Sequence, residues 1–167
     1  MSQPEIQVLI DRGPAQRDDI PARAQLVQFA RLALGDLSCE LNIRVVSAVE
    51  SQRLNAQFRA KQRPTNVLSF PAELPPDWPI NILGDLALCA DVIAREAQEQ
   101  AKSPQAHWAH MVIHGCLHLL GFDHQNDADA ATMEAREIAL LAELGFANPY
   151  QIIDDSSQAN WSNNTRT

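Results

Sequence analysis

Residues 107–124 read HWAHMVIHGCLHLLGFDH and contain all five histidines of the chain. Four of these, at positions 107, 110, 114 and 118, recur at spacings of three, four and four residues. On a helix their side chains would fall within a sector of about 80°, so the pattern predicts a helix with the histidines on one face. Gly121, just after the apolar run, is expected to end this helix. The chain can then turn and bring His124 toward His114 and His118.

These three imidazoles predict a metal site. Zinc takes imidazole nitrogen at about 2.0–2.1 Å, and three protein ligands leave one coordination position for water, as in a catalytic site. An ordinary hydrogen-bonded position is the alternative for any single histidine, but the combined spacing of His114, His118 and His124 favours the metal. His107 and His110, two turns and one turn upstream, are expected to support the site, face the substrate or lie exposed.

Position 115 distinguishes this pattern from the HExxH motif of zinc peptidases. In that motif the residue after the first histidine is the glutamate that serves as general base, and here it is Gly115. Without that carboxylate, ordinary peptide hydrolysis is disfavoured. Glycine inside a helix costs about 1 kcal/mol relative to alanine, so Gly115 indicates a close approach of substrate or backbone or, alternatively, tight helix packing.

Length and composition predict one domain. The chain has 167 residues, 46% of them hydrophobic, which is enough for a single core. We predict this domain over residues 1–153 and a mobile tail over residues 154–167. The sequence lacks signal-peptide features and an apolar run long enough for a membrane span, so a soluble, cytoplasmic protein is expected. Three widely spaced cysteines without a CxxC pair suit a reducing compartment.

The charge distribution predicts a local basic surface on an acidic protein. The formal net charge of -8 argues against a protein that coats nucleic acid by bulk attraction. Residues 51–72 nevertheless contain no acidic residue and four basic ones, which are Arg53, Arg59, Lys61 and Arg63.

Periodicity elsewhere predicts an α+β fold. Strands are predicted at residues 6–10, 41–45, 65–70 and 83–90, with the third near the sheet edge. Four further helices are predicted, including one that Pro64 stops, one that Asp91 caps and a last one that Asp127 or Asp129 caps. We therefore predict a single domain with a mixed four-stranded sheet packed against about five helices, one of them the zincin-like metal helix. The strand order is not indicated.

Three segments together resemble the YbeY family of bacterial rRNA maturation factors. They are HGCLHLLGFDH at 114–124, FRAKQRPTNVLSFP at 58–71 and ILGDLALC at 82–89. The resemblance implies a metal-dependent endoribonuclease specific for single-stranded RNA, with roles in 16S rRNA 3′ end processing and ribosome quality control. It also implies one zinc ion on His114, His118, His124 and a water, and a catalytic Arg59. The implied partners are rRNA precursor, the small ribosomal subunit and its assembly factors.

The chemistry of these residue types agrees with that activity. Phosphodiester cleavage adds negative charge to the phosphoryl oxygens, and a metal and the planar guanidinium of Arg59 can stabilise it. A water activated by zinc could act as the nucleophile or as the base toward the ribose 2′-hydroxyl, and the sequence leaves both routes open.

Four other residues are candidates for supporting roles. Lys61 and Arg63 are expected to steer the RNA backbone, with a solvated charged face as the alternative. Asp123 is expected either to orient His124 or a water or to cap the turn. Asp85 is expected to satisfy loop backbone after a glycine, with a role in the site as the alternative.

Two other functions remain open from the sequence. One is a metal-dependent hydrolase of another substrate such as peptides, which Gly115 disfavours. The other is a non-catalytic ribosome-binding factor with structural zinc. Structural zinc sites usually have four protein ligands, so a three-histidine set fits this second alternative poorly.

Overall fold

The computed structural model describes residues 4–10 and 19–151, and the predicted tail lies outside these residues. Its strands are β1 (Glu5–Ile10), β2 (Glu40–Val46), β3 (Val67–Pro71) and β4 (Ile82–Cys89). Its helices are α1 (Arg23–Leu34), α2 (Ala48–Arg59), α3 (Ala90–Glu99), α4 (Pro104–Leu119) and α5 (Asp127–Glu143). The predicted α+β fold, with a mixed four-stranded sheet and five helices in the described part of the chain, is confirmed.

The strand order in the sheet is β1-β2-β4-β3. The first three of these strands are mutually parallel, and β3 runs antiparallel to β4 at the edge, where the third strand was expected. Side chains of a strand alternate between the two faces. Accordingly, Ser69 of β3 points toward α4, whereas Leu68 and Phe70 pack on the face covered by α2. The side chains of β3 therefore contact α4 on one face of the sheet and α2 on the other.

Helix α4 is anchored in the core over most of its length. Trp108, Val112, Ile113 and Leu117 have no exposed surface and pack with residues of α1, β2 and β4. Burial of one such aliphatic side chain contributes about 1.5–3 kcal/mol. The histidines that α4 carries are thus attached to one of the most firmly held elements of the fold.

Tight packing explains the glycine inside α4. A Cβ atom at Gly115 would lie 2.8 Å from Leu86 Cδ2 and 3.1 Å from Val67 Cγ2. The carbonyl of Gly115 also accepts a hydrogen bond of 3.2 Å from Ser69 Oγ. The close approach indicated by the sequence is therefore one between the helix and the sheet, so Gly115 lets α4 lie directly on β3 and β4.

The end of α2 differs from the prediction. The helix ends at Arg59, and Ala60 follows in the left-handed conformation with φ 57°. The predicted stop at Pro64 was therefore wrong, because the chain leaves the helix four residues earlier. The amide of Ala60 donates to the carbonyl of Asn55 and closes the helix there.

The N-caps of α3 and α5 also differ from the prediction. Cys89 rather than Asp91 precedes the first turn of α3. Asn126 caps α5, and its side-chain oxygen accepts from the amide of Asp129 at 2.8 Å. Each predicted aspartate instead lies inside the first turn, where its negative charge interacts favourably with the helix dipole.

Cys39, Cys89 and Cys116 are all buried and free. Burial raises the pKa of all three thiols, which keeps them protonated and unreactive. Within residues 4–10 and 19–151, none of the helices combines the length and the apolar character needed to cross a bilayer.

Candidate metal and RNA site

Three predicted ligands lie together at the end of α4. His114 and His118 are one helical turn apart, and Gly121, with φ 103°, turns the chain so that His124 returns to them. The ring centroids are 4.9 Å apart for 114–118 and 118–124, and 5.7 Å apart for 114–124. Their ligand atoms all lie within 4.8 Å of one another. This histidine cluster, as we call it, can hold one metal ion with bonds of about 2 Å after small side-chain rotations.

The surroundings of His118 favour its neutral imidazole. Partial burial, and next the proximity of His114 and His124, lower the pKa of His118. A histidine with a lowered pKa is uncharged near pH 7, and uncharged imidazole is the form that binds a metal. His124 is the most open of the three, with 52% of its side chain exposed.

A buried carboxylate lies behind the histidine cluster. Glu137 of α5 has no exposed surface. It accepts hydrogen bonds from His114 Nδ1 at 2.5 Å and His110 Nε2 at 2.8 Å, and from the hydroxyl of Tyr150. With its proton on Nδ1, His114 presents Nε2 to the other two histidines. Carboxylates orient metal-binding histidines in this way in many metalloproteins.

The hydrogen bonds keep Glu137 ionised. Burial alone would raise the pKa of this carboxyl group, but the bonds from His110 and His114 outweigh it and hold the pKa at about 2. For His110 burial acts in the opposite direction and lowers the pKa of the imidazole, because the charged form of a histidine is the protonated one. A buried charge is stable only when its hydrogen bonds are satisfied, and Glu137 has three donors. Of the three positions expected for His110, the structure excludes the exposed one, since His110 is buried and bonded to Glu137.

His107 belongs to a different contact. Its Nε2 lies 2.9 Å from Glu96 Oε1, and the same carboxylate accepts from Asn66 Nδ2 at 3.0 Å. Asn66 in turn accepts from the amide of Val67 at the start of β3. His107 and Glu96 thus fix the beginning of β3 against α4, at one wall of the cleft beside the histidine cluster.

The histidine cluster shares a cleft with three of the four basic residues of segment 51–72. The cleft has a volume of about 450 Å³, and Arg59, Lys61 and Arg63 line it together with the three histidines. Arg53 does not line it, because its guanidinium pairs with Glu50 at 2.7 Å. The local basic surface expected from the sequence therefore lies beside the candidate metal site.

Arg59 is held at the edge of β3. Its Nη2 donates to the carbonyl of Ser69 at 2.9 Å and its Nη1 to that of Phe58 at 3.1 Å. The guanidinium carbon lies 5.4 Å from the centroid of the Phe70 ring. A guanidinium has five N–H donors, so these two bonds leave others for a phosphate.

We call residues 60–66 the basic loop. Two buried side chains of α2 form hydrogen bonds with its main chain. Asn55 Nδ2 donates to the carbonyl of Arg63 at 2.8 Å. Ser51 Oγ donates to the carbonyl of Thr65 and accepts from its amide, both at 3.0 Å. These bonds position the main chain that carries Lys61 and Arg63, while the side chains of both residues are exposed.

The two candidate aspartates differ in how close they lie to the histidine cluster. Asp123 Oδ1 accepts from the amide of His124 at 2.7 Å, which caps the turn, and the same oxygen is 3.9 Å from His124 Nδ1. Asp85 lies within β4 rather than in a loop, and accepts from Asn42 Nδ2 at 2.9 Å. It faces away from α4, so the structure does not bring Asp85 to the histidines.

Sequence reasoning missed Glu137, Ser51 and Asn55. Glu137 had a detectable signal, because it stands in the apolar stripe of α5 with Met133, Leu140 and Leu141. A carboxylate in such a stripe is rarely buried without a partner. Ser51 and Asn55 gave no such signal, since polar residues in an amphipathic helix are ordinarily on its solvated face.

Comparison with known proteins agrees with this geometry. The family model for "Endoribonuclease YbeY" matches residues 17–145, which confirms the resemblance seen in the sequence. Among solved structures, the chain is similar to TM1509 from Thermotoga maritima, determined in solution, with 27% sequence identity and a TM-score of 0.54. The similarity covers 83% of this chain and 88% of that one.

Proposed function

The chain belongs to the YbeY endoribonuclease family, and on that basis we propose that it cleaves single-stranded RNA at a zinc ion held by His114, His118 and His124. The family itself gives the coarser activity, that of a metal-dependent endoribonuclease in ribosomal RNA processing. We propose further that the substrate is rRNA precursor at the 3′ end of 16S rRNA, and that the protein serves ribosome quality control with the small subunit and its assembly factors.

One observation carries this proposal. Three imidazoles whose ligand atoms lie within 4.8 Å of one another share a cleft with Arg59, Lys61 and Arg63. A metal site alone would suit many hydrolases. The three cations beside it suit an anionic substrate, and the chain as a whole, at net charge -8, would repel one elsewhere.

Each residue then has a distinct task. When bound, the metal supplies Lewis acidity toward a phosphodiester. Glu137 keeps His114 in the tautomer that leaves Nε2 for that metal. Arg59 directs its remaining N–H donors at the phosphoryl oxygens, which gain charge during cleavage.

The residues around them support the substrate and the ligands. Lys61 and Arg63 attract and orient the RNA backbone. Asp123 caps the turn that carries His124. His110 donates one of the hydrogen bonds of Glu137. Asp85 lies on the face of the sheet opposite α4 and takes no part in the reaction.

The three-ligand set favours catalysis over a structural zinc. Among the residues that the structure describes, the histidine cluster has three members, whereas structural zinc is generally closed by four protein ligands. The peptidase alternative has no support from position 115, since Gly115 is buried against the sheet.

The decisive experiment combines metal analysis with RNA cleavage. Purified wild type and His114→Ala are compared for bound zinc, cleavage of rRNA precursor and cleavage of a peptide library. We expect the variant to lose the metal and cleavage by a factor on the order of 10³ or more, since it lacks a ligand of the Lewis acid. Peptidase activity without RNA cleavage would establish the alternative hydrolase. Equal RNA cleavage by the metal-free variant would leave zinc a structural role only.

The identity of the metal and the position of cleavage need separate arms. Wild type stripped by a chelator is reloaded with zinc, manganese or magnesium, and cleavage of 16S precursor is followed. Zinc at one equivalent should restore cleavage near the mature 3′ end. Restoration by manganese or magnesium but not by zinc would contradict the zinc assignment, and cleavage elsewhere in the precursor would contradict the 3′ end assignment.

A further inference from the structure

Two phenylalanine rings lie beside the cleft, on the other face of the sheet. Phe58 of α2 and Phe70 of β3 pack edge to face, with ring centroids 5.2 Å apart and an interplanar angle of 68°. Phe58 is 50% exposed. A single exposed apolar residue is ordinary. The exposed ring of Phe58, however, packs against the ring of Phe70 and lies next to the candidate site. We call Phe58 and Phe70 the aromatic pair.

Arg59 connects the aromatic pair to the cleft. Its guanidinium bonds the carbonyl of Ser69 and lies 5.4 Å from the centroid of the Phe70 ring, and it also lines the cleft of the histidine cluster. Because β3 is the edge strand, a strand of RNA can pass around it without crossing another strand of the sheet. A phosphate at Arg59 would therefore have a neighbouring base within reach of the aromatic pair.

The charges on the two sides of Arg59 differ. The cleft is lined by Arg59, Lys61 and Arg63. The groove that Phe58 and Phe70 line on the other face has two charged residues of opposite sign: Asp85, which lies directly opposite Phe70 in the sheet register, and Arg44, which pairs with Glu50 at 3.6 Å. The carboxylate of Asp85 repels a phosphate. An RNA strand bound here would keep its phosphates in the cleft and turn an uncharged base toward the rings.

We propose that the aromatic pair is a stacking subsite for one base of the RNA substrate, next to the phosphate bound at Arg59. This inference rests on the proposed function, because it takes the cleft to be the place of cleavage. Aromatic rings stack on any base, and the base must be free of a duplex to expose its face. The subsite would therefore contribute to the preference for single strands without selecting a sequence.

The test uses one labelled single-stranded RNA with a single cleavage site, and two copies of it that each carry an abasic nucleotide on one side of that site. Steady-state cleavage of all three is measured with wild type and with Phe58→Leu, which keeps an apolar side chain but loses the ring. For the complete RNA we expect KM to rise by at least about fivefold in Phe58→Leu, the low end of what stacking of one base contributes, with kcat within about threefold.

The abasic RNAs separate stacking from a change in packing. With wild type, one of the two abasic RNAs should have a KM raised about as much as the Phe58→Leu substitution raises it for the complete RNA. With Phe58→Leu, the KM of that same abasic RNA should be close to the KM of the complete RNA. The two changes remove the same contact, so their effects should not add. Additive effects, or no effect of either abasic site on wild type, would overturn the subsite.

Two further variants control for folding and position. Phe58→Trp keeps a stacking ring and should retain a KM close to wild type, whereas a loss equal to that of Phe58→Leu would overturn the proposal. Val49→Ala removes a residue of the same helix that is 81% exposed and does not line the groove, and it should change nothing. Failure of wild type to cleave any of these RNAs would refute the proposed function itself, which distinguishes that outcome from a failure of the subsite alone.

Discussion

The histidine cluster and the basic loop line the same cleft, but the chain holds them by different means. His114 and His118 stand on α4, a buried helix, and the ring of His114 is fixed by the fully buried Glu137, while His124 follows the turn at Gly121. On the other side, Asn55 and Ser51 bind the main chain of residues 60–66, while the charged side chains reach into solvent. One side fixes the functional atoms themselves, and the other fixes only the backbone that carries them.

This difference matches what each side is proposed to bind. A metal ion requires ligand atoms placed to within a few tenths of an ångström, and the bond to Glu137 orients the imidazole of His114 before a metal binds. A flexible RNA backbone presents phosphates in many arrangements, and long mobile cations can follow them at little cost in binding. Changes behind the histidines should therefore alter metal affinity, and changes at the basic side should alter RNA cleavage with the metal retained.

Among changes on the basic side, the largest effect is expected from Arg59→Ala. Loss of its donors to the phosphoryl oxygens should lower kcat/KM for RNA by a factor on the order of 10² to 10³, while the zinc content stays at one per chain. Arg59→Lys should recover only part of the activity, because an ammonium lacks the planar fork of donors. Steady-state cleavage and elemental analysis of the same preparations provide the measurement.

Arg53→Ala is the matched control for that variant. Arg53 is an arginine of the same helix, but it pairs with Glu50 outside the cleft, so cleavage should stay near the wild-type rate. An equal loss in Arg53→Ala and Arg59→Ala would mean that net charge, rather than a placed guanidinium, drives the reaction. Loss of zinc from Arg59→Ala would remove the proposed division between the two sides.

The next effect in size concerns Glu137→Gln. The amide keeps the shape of the carboxylate but not its charge, so it holds the Nδ1–H of His114 less firmly. Replacement of such an orienting group typically weakens metal binding about 10- to 100-fold. Competition for zinc against a chromophoric chelator measures this affinity directly, and saturating zinc should restore much of the cleavage.

Glu96→Gln provides the control for Glu137. It too removes a carboxylate bonded to a histidine of α4, but that histidine is His107, which lies outside the histidine cluster. We expect unchanged zinc affinity in Glu96→Gln. If both variants lost zinc equally, general loosening of α4 would explain the result better than orientation of His114 does.

Contacts between residues close in the sequence could be predicted, whereas contacts between residues far apart in the sequence could not. The helix of residues 104–119, the turn at Gly121 and the meeting of His114, His118 and His124 follow from spacing within twenty residues. Strand order does not, because a period of two identifies a strand but not its neighbour. The insertion of β4 between β2 and β3 is decided by the packing of whole faces, which no local pattern records.

The supporting residues were missed for the same reason. Glu137 lies 23 residues from His114, and nothing local in α5 names the partner of a buried carboxylate. The contact between Asn55 and Arg63 depends on where α2 ends, and the helix was predicted to continue toward Pro64. The left-handed Ala60 ends it early, since a non-glycine residue in that conformation is held by its surroundings rather than by its own preference.

A smaller effect is expected on the basic side from Asn55→Ala. Loss of the bond to the carbonyl of Arg63 should lower the free energy of unfolding by about 1–2 kcal/mol and loosen the basic loop. KM for RNA should then rise by a few fold, with zinc affinity unchanged. The matched control is Gln52→Ala on the exposed face of α2, which should change neither quantity, and a fall in zinc affinity in Asn55→Ala would contradict the separation of the two sides.

The smallest effect is expected from Ala60→Gly, which tests whether the backbone beside Arg59 is strained. An L-residue in the left-handed region costs about 1–2 kcal/mol, and glycine removes that cost but loses more freedom on folding, so a net gain of about 0.5–1 kcal/mol in unfolding free energy is expected in urea. Ala101→Gly is the matched comparison, because Ala101 also has a positive φ of 56° but lies after α3, away from the cleft. Both variants should gain stability, and only Ala60→Gly should alter cleavage, since a freer residue 60 lets the guanidinium of Arg59 leave the carbonyl of Ser69. Equal stability gains with unaltered cleavage in both would show that the contacts with Phe58, Ser69 and Phe70 hold Arg59 in place whatever the residue at position 60.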